Sequence, residues 1–133
     1  MSEVSGPLIL YVEDEVLLQD ILESALSDAG YQVVTASSGA EALDRLQALS
    51  GDLHGLITDI NLPGGIDGWE IGRHARGLAP TLPIVYVSGG SDHEWTAQGV
   101  PQSVMVAKPF ATSQIVVAIS GLINASDTPR AGV

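Results

Sequence analysis

The sequence alternates five short apolar runs with five segments that have the periodicity of helices. The runs are rich in β-branched residues, which is typical of strands that are buried on both faces of a sheet. They cover Leu8 to Val12, Gln32 to Thr35, Gly55 to Thr58, Pro83 to Val87 and Ser103 to Ala107. Because strand and helix alternate along the chain, the sequence predicts an α/β protein with a five-stranded, doubly wound parallel sheet.

Capping and stop residues mark the ends of most of the predicted helices. In the first helix, apolar residues recur at i, i+3, i+4 and i+7 up to Gly30, which stands where a C′ glycine ends a helix. At three further starts, Ser or Asp is followed three residues later by Glu, which is the capping-box pattern. These pairs are Ser38 with Glu41, Asp67 with Glu70, and Ser91 with Glu94. The last pair predicts a short fourth helix containing Trp95 and Ala97, and Thr112 is expected to cap the fifth.

Length and composition favour a single cytoplasmic domain. The chain has 133 residues and no Cys, and its 16 acidic and 5 basic residues give a net charge of −11. An acidic surface repels phosphate backbones and anionic lipids, so neither nucleic acid nor a membrane is an expected partner. The first residues lack a signal-peptide pattern. We expect a disordered N-terminus over residues 1–7, one domain over residues 8–123 and a flexible tail over residues 124–133.

Polar residues directly follow four of the five predicted strands. Glu13 and Asp14 follow the first strand, Asp59 the third, Ser88 the fourth and Lys108 the fifth. Right-handed crossovers place the carboxyl ends of parallel strands at one edge of the sheet, where ligands bind in this fold class. We therefore expect these side chains to converge in a single site.

The residue types at these strand ends suit phosphoryl transfer. Carboxylates that lie within a few ångströms repel each other unless a proton or a cation intervenes, and a set of oxygen ligands favours Mg²⁺. Lys108 is the only lysine of the chain, and beside Asp59 it would be a paired charge with donors left for an incoming anion. Charge neutralisation and positioning carry most of the catalysis of phosphoryl transfer, and a carboxylate can be the nucleophile. Taken singly, each acid could also be a turn residue, and Asp14 could cap the first helix.

Five motifs in register resemble the receiver domain of bacterial response regulators. They are Glu13-Asp14 after LILYV, Asp59 in LITDINLP, the pair Asp67-Gly68, Ser88 in IVYVSGG, and Lys108-Pro109-Phe110. The resemblance extends from Leu8 to about Ile123. It implies a flavodoxin-like (βα)5 fold with the strand order 2-1-3-4-5.

The resemblance also implies a role for each residue of the expected site. The metal set for Mg²⁺ would be Asp14 and Asp59 as direct ligands, Glu13 acting mainly through water, and the backbone carbonyl of Asn61. Asp59 would accept the phosphoryl group, and Lys108 and Ser88 would bind the phosphoryl oxygens.

The function implied by the resemblance is that of a stand-alone response regulator in a two-component system. A sensor histidine kinase or a histidine phosphotransfer protein would phosphorylate Asp59, with Mg²⁺ required. The chain would not be an enzyme beyond self-phosphorylation and slow autodephosphorylation. Because 133 residues leave no room for an output domain, it would signal through contact with an unknown downstream protein or act as a phosphate sink.

Three features depart from the family pattern and leave alternatives open. Met105 replaces the switch aromatic expected three residues before the lysine, residues 63–68 form a loop one residue longer than usual, and Gly90 replaces a side chain near the phosphorylated acid. Met105 supports an alternative, a pseudo-receiver that binds partners without phosphorylation. A phosphatase with a D-x-N loop at residues 59–61 is another, although the chain is short for a substrate cap. A flavin site is disfavoured because three acids would face the flavin phosphate.

Overall fold

A computed structural model of the chain describes residues 6–127. Five strands and five α-helices alternate, and a 3₁₀ turn at Asp92–Glu94 precedes the fourth helix. In chain order they are β1 (Leu8–Val12), α1 (Val16–Asp28), β2 (Gln32–Ala36), α2 (Gly39–Leu49), β3 (Gly55–Asp59), α3 (Gly68–Leu78), β4 (Ile84–Ser88), α4 (Trp95–Gln98), β5 (Val104–Ala107) and α5 (Thr112–Asp127). Each strand boundary lies within one residue of the sequence prediction.

The five strands form one parallel sheet in the order β2-β1-β3-β4-β5, which confirms the predicted fold. Alternate residues of each strand face opposite helical layers. Leu10 and Tyr86 pack with α2 and α3 on one face, whereas Tyr11 and Ile57 pack with α1 and α5 on the other. The strand order reverses between β1 and β3, so the carboxyl ends of these two strands form the crevice where this fold class binds ligands.

At two of the predicted capping boxes, the N-cap side chain makes its hydrogen bond. Ser38 Oγ accepts a hydrogen bond from the N–H of Glu41 at 3.1 Å, and Asp67 Oδ1 accepts one from the N–H of Glu70 at 2.9 Å. The two side chains satisfy N–H groups that the first turns of α2 and α3 leave without helical partners. These caps fix the residues at which α2 and α3 begin.

The fourth helix starts differently from the prediction. The N–H of Glu94 donates to the backbone carbonyl of Ser91 at 3.0 Å, and Glu94, the N-cap of α4, makes no side-chain cap bond. The N–H of Ser91 donates to Ser88 Oγ. The segment therefore begins as a turn around the Ser88 hydroxyl, and α4 is limited to the single turn Trp95–Gln98.

The fifth helix differs from the prediction at both ends. Thr112 is its first residue, and the preceding N–H, that of Ala111, donates to the side chain of Gln114 at 2.7 Å. The helix continues to Asp127, so residues 124–127 of the expected flexible tail are helical. No Gly or Pro interrupts the chain there, and Ala125 is a strong helix former. Residues 128–133 lie outside the described residues.

The first described residues extend the pairing of β1 with β2. Of the segment 1–7 expected to be disordered, residues 1–5 lie outside the described residues. The carbonyl of Gly6 accepts a hydrogen bond from the side chain of Gln32 at 2.8 Å, and the carbonyl of Pro7 accepts one from the Gln32 N–H at 2.9 Å. Within residues 6–127, no helix has the length and apolar character needed to cross a membrane.

Arg76 of α3 holds the segments that lead into the last two strands. Its guanidinium donates to the carbonyl of Leu82, ahead of β4, at 2.7 Å. It also donates to the carbonyls of Pro101 and Gln102, ahead of β5, at 2.6 and 3.2 Å. One side chain therefore links α3 to the amino ends of both β4 and β5.

Candidate functional site

The structure brings four of the predicted site residues together at the carboxyl ends of β1, β3 and β5. Oxygen atoms of Glu13, Asp14 and Asp59 all lie within 4.8 Å of one another. Lys108 Nζ lies 3.1 Å from Asp59 Oδ1 and 3.8 Å from Glu13 Oε1. The chain's only lysine thus pairs with two of its three clustered acids.

The three acids differ in their exposure to solvent. Glu13 and Asp59 are 1% and 3% exposed, whereas Asp14 is exposed. Glu15, and not Asp14, is the N-cap residue of α1, so the interpretation of Asp14 as a helix cap is wrong. The cluster offers only oxygen ligands and opens to water on one side. These donors fit a hard divalent cation such as Mg²⁺, which keeps several of its waters.

Backbone and side-chain donors fix the orientation of Glu13. The hydroxyl of Tyr11 donates to Glu13 Oε1 at 3.3 Å, and the N–H of Glu15 donates to Oε2 at 3.1 Å. The side chain of Gln19 donates to the Glu13 carbonyl at 2.8 Å. Neither Tyr11 nor Gln19 was among the site residues predicted from the sequence. For Tyr11 a signal was present, because residues i and i+2 of a strand share a face and a phenol in an aliphatic strand needs a polar partner.

Burial and the clustering of charge shift the pKa values of the site. Burial, together with the hydrogen bond and the charge of Glu13, raises the pKa of Asp59 to about 8, although Lys108 opposes the rise. Burial lowers the pKa of Lys108, but the carboxylates of Asp59 and Glu13 outweigh burial and hold that pKa above its ordinary value. Burial, followed by the charges of Glu13 and Asp59, raises the pKa of Tyr11, so its phenol remains a donor. Without a cation, Asp59 therefore binds a proton more tightly than an ordinary aspartate does.

Ser88 borders the acidic cluster, but its hydroxyl is engaged in the loop that follows β4. Ser88 Oγ accepts hydrogen bonds from the N–H groups of Gly90 and Ser91 at 3.1 and 2.5 Å. Its carbonyl accepts the N–H of Lys108 at 2.8 Å, which joins the ends of β4 and β5. Across residues 6–127, the Ser88 hydroxyl forms no hydrogen bond with Asp59 or Lys108.

The loop from β3 to α3 is packed tightly against Asp59. The N–H of Gly68 donates to the carbonyl of Ile60 at 2.8 Å. A Cβ at Gly68 would collide with the carbonyl oxygen of Asp59, so the start of α3 can lie there only with glycine. Asn61 is exposed two residues beyond Asp59, and the role of its carbonyl as a metal ligand stays a prediction.

Met105 lies away from the acidic cluster, within β5. It is half-buried, pairs in register with Tyr86 of β4 and packs against the core that α2 and α3 cover. Its side chain has no hydroxyl with which to contact Ser88. Because residue 105 is methionine, this chain cannot use the movement of an aromatic ring at this position.

Comparison with known proteins identifies the family to which this architecture belongs. Residues 9–120 match the family model described as the response regulator receiver domain. A solved response regulator receiver protein from Sinorhizobium medicae WSM419 is 40% identical, with a TM-score of 0.89 over 94% of this chain and 100% of that chain.

Curated relatives show the same similarity over parts of longer proteins. The uncharacterized transcriptional regulatory protein YbdJ of Bacillus subtilis is 30% identical over 91% of this chain and 52% of its own length. The C4-dicarboxylate transport transcriptional regulatory protein DctD of Rhizobium meliloti is 33% identical over 84% of this chain and 24% of its own length. The chain therefore spans about half the length, or less, of these two relatives.

Proposed function

The chain belongs to the family of response regulator receiver domains, and from this we propose that Asp59 accepts a phosphoryl group from a phosphohistidine of a sensor histidine kinase or a phosphotransfer protein. The observation that carries the proposal is the position of Lys108, whose Nζ lies 3.1 Å from the carboxylate of Asp59 within a cluster of three acids. A turn-forming acid would be solvent-exposed, whereas Asp59 is 3% exposed and paired with the only lysine.

Each side chain of the cluster has a task in the proposed transfer. A carboxylate oxygen of Asp59 attacks phosphorus, a P–O bond forms, and the P–N bond to the donor histidine breaks. The leaving nitrogen keeps the electron pair of that bond and takes a proton from solvent. Lys108 and Ser88 then bind the phosphoryl oxygens. Mg²⁺, held by Glu13, Asp14 and Asp59, would neutralise the charge that the acids and the phosphoryl group bring together.

Labelling with a small phosphodonor tests the proposal. The purified chain is incubated with Mg²⁺ and radiolabelled acetyl phosphate, and label that survives acid but is released by hydroxylamine indicates an acyl phosphate. We expect Asp59→Asn to lose this label and Asp44→Asn, which changes an exposed acid of α2, to keep it. Absence of label from the parent, or label that survives in Asp59→Asn, refutes the proposal.

Transfer from protein donors tests the partner. We expect one histidine kinase or phosphotransfer protein of the source organism to lose its label rapidly to this chain and not to Asp59→Asn. The signal then passes to a downstream protein by contact, or the chain drains phosphate from the donor. The stand-alone state, the cytoplasmic location and the lack of other enzymatic activity stay predictions from the sequence.

A second candidate function is a receiver-like binding module that acts without phosphorylation. The observation in its favour is Met105, which packs against the core and offers no hydroxyl for Ser88. This candidate predicts that the chain takes no label and that Asp59→Asn binds its partner as the parent does. The labelling experiment therefore separates the two functions directly.

A further inference from the structure

The segment between β4 and β5 is tied to β4 near both of its ends. At the near end, the hydroxyl of Ser88 accepts the N–H groups of Gly90 and Ser91 at 3.1 and 2.5 Å. At the far end, the hydroxyl of Tyr86 accepts the N–H of Val100 at 3.1 Å. Because Tyr86 and Ser88 both belong to β4, one strand holds both ends of a segment that contains the 3₁₀ turn and α4.

The far end of this segment is held firmly. Tyr86 is fully buried, and its ring packs against Trp69 with the ring centroids 4.8 Å apart. A Cβ at Gly72 of α3 would collide with the Tyr86 hydroxyl, so the phenol fills the available space. The bonds from Arg76 to the carbonyls of residues 101–102 add a second attachment. Buried, densely packed contacts of this kind resist displacement.

The two glycines at the near end have open space around them. No described heavy atom lies within 4 Å of the position that a Cβ would take at Gly90. A Cβ at Gly89 would meet only the Lys108 side chain, at 3.9 Å. At residues 89–90 the backbone therefore has room to move when the two hydrogen bonds that Ser88 accepts are lost.

Trp95 connects the helix that follows the near end to the firmly held far end. Its indole Nε1–H donates to Ser103 Oγ at 2.9 Å, and the Ser103 hydroxyl donates to the Val100 carbonyl at 2.6 Å. The indole lies over Gly99, where a Cβ would collide with the ring. Trp95 is 36% exposed and Ser103 is 7% exposed. The indole is thus attached on its buried side and free on its solvent side.

We propose that the hydrogen bond from Trp95 to Ser103 is the contact that switches when this receiver is phosphorylated. It replaces the aromatic contact that Met105 cannot make. The inference rests on the proposed function, because its trigger is a phosphoryl group on Asp59.

The switch depends on the position of one hydroxyl oxygen. When Ser88 turns towards the phosphoryl oxygens, its oxygen leaves the N–H groups of residues 90–91. Residues 89–94 then move, and α4 moves with them. Because the far end is held by Tyr86 and Arg76, Ser103 stays in place and the indole of Trp95 separates from it. Trp95 becomes more exposed, which alters the surface that α4 presents to a partner.

Indole resonances measure this separation directly. The chain has two tryptophans, so a ¹⁵N-labelled sample gives two indole N–H signals, and Trp95→Phe assigns them. Beryllium fluoride with Mg²⁺ is used as a noncovalent phosphoryl mimic. We expect the Trp95 signal to shift towards its position in Ser103→Ala and to exchange faster with water. Trp69, which is 3% exposed, should shift less.

Two variants test the energetic coupling. Trp95→Phe keeps a ring but removes the N–H, and Ser103→Ala removes the acceptor. Because the hydrogen bond stabilises the unphosphorylated state, each variant should lower the beryllium fluoride concentration at half-saturation about fivefold, the effect of one hydrogen bond. Ser113→Ala, on the exposed side of α5, is the control and should leave the midpoint unchanged.

The outcomes distinguish this inference from the function on which it rests. If Asp59 takes label and beryllium fluoride binds, but the Trp95 signal and both midpoints do not change, the inference is wrong and the proposed function stands. If the parent neither takes label nor binds beryllium fluoride, both are wrong. A shift of Trp69 without a shift of Trp95 also contradicts the inference.

Discussion

In metal-free buffer, the free energy of unfolding should fall as the pH rises from about 4 to about 8, and Asp59 should cause the fall. The fold raises the pKa of Asp59 from 3.8 to about 8, chiefly through burial and then through Glu13. In this pH range the folded chain holds a proton on Asp59 that the unfolded chain has released. Because the folded state binds more protons, its stability decreases with rising pH.

The size of the effect follows from the difference in bound protons. One proton bound only in the folded state gives a slope of about 1.4 kcal/mol per pH unit. The whole interval corresponds to at most about 6 kcal/mol, a large share of the stability of a domain. Asp14 is exposed and Lys108 is partly exposed, so water reaches the cluster. We therefore expect about half of the limiting change, or about 3 kcal/mol over the interval.

Urea unfolding at several pH values, in the presence of a chelator, measures the slope. The parent is compared with Asp59→Asn, because titrations that the two chains share cancel in the difference. We expect Asp59→Asn to gain stability relative to the parent at each higher pH, and the exposed control Asp44→Asn to show no such trend. Saturating Mg²⁺ should remove the decline, since the cation replaces the proton. Parallel pH curves for the parent and Asp59→Asn would refute the reasoning.

Adding Mg²⁺ at neutral pH should raise the melting temperature by several degrees, since a ligand at 100 times its Kd stabilises the folded state by about 2.7 kcal/mol. A melting temperature that Mg²⁺ leaves unchanged in a thermal scan would contradict the metal site. Lys108→Ala should destabilise the metal-free chain by about 2 kcal/mol at pH 9 and by less at pH 5, where Asp59 is protonated. If urea unfolding gives the same loss of unfolding free energy at both pH values, the lysine does not stabilise the charged acids. Gly68→Ala should lower the free energy of unfolding by about 2 kcal/mol and slow labelling of Asp59. Gly77→Ala, with open space around it on α3, should raise the free energy of unfolding by about 0.5 kcal/mol. Equal melting temperatures for the two variants would contradict the close packing at Gly68.

The elements of the fold and the acids at the strand ends were predictable because both depend on local patterns, whereas the strand order came from the resemblance to receiver domains. Apolar runs of strand length and capping boxes define the elements, and the topology of a parallel sheet then places every strand's carboxyl end at one edge. Asp59 and Lys108 are 49 residues apart in sequence, yet Asp59 ends a strand and Lys108 directly follows one. The rule that brings them together needs no knowledge of side-chain packing.

The segment after β4 was less predictable because its structure depends on contacts across the fold. Ser91 and Glu94 match the capping-box pattern, but they do not form its side-chain hydrogen bond. The N–H of Ser91 donates to the Ser88 hydroxyl, so the segment begins as a turn. Likewise, the partner of the Trp95 indole is Ser103, which lies beyond a loop. No periodicity or capping rule identifies such a partner. The length of α5 was missed for another reason, since small and polar residues do not by themselves end a helix.

The attachment of Arg76 to the segments ahead of β4 and β5 determines how these two strands can be displaced. Their amino ends are fixed to α3, while Ser88 and Lys108 occupy or follow the opposite ends. The guanidinium therefore couples the amino ends of both strands to a single helix. At the opposite ends, the bond from the Lys108 N–H to the Ser88 carbonyl joins the same two strands. A displacement of α3 would therefore act on β4 and β5 together.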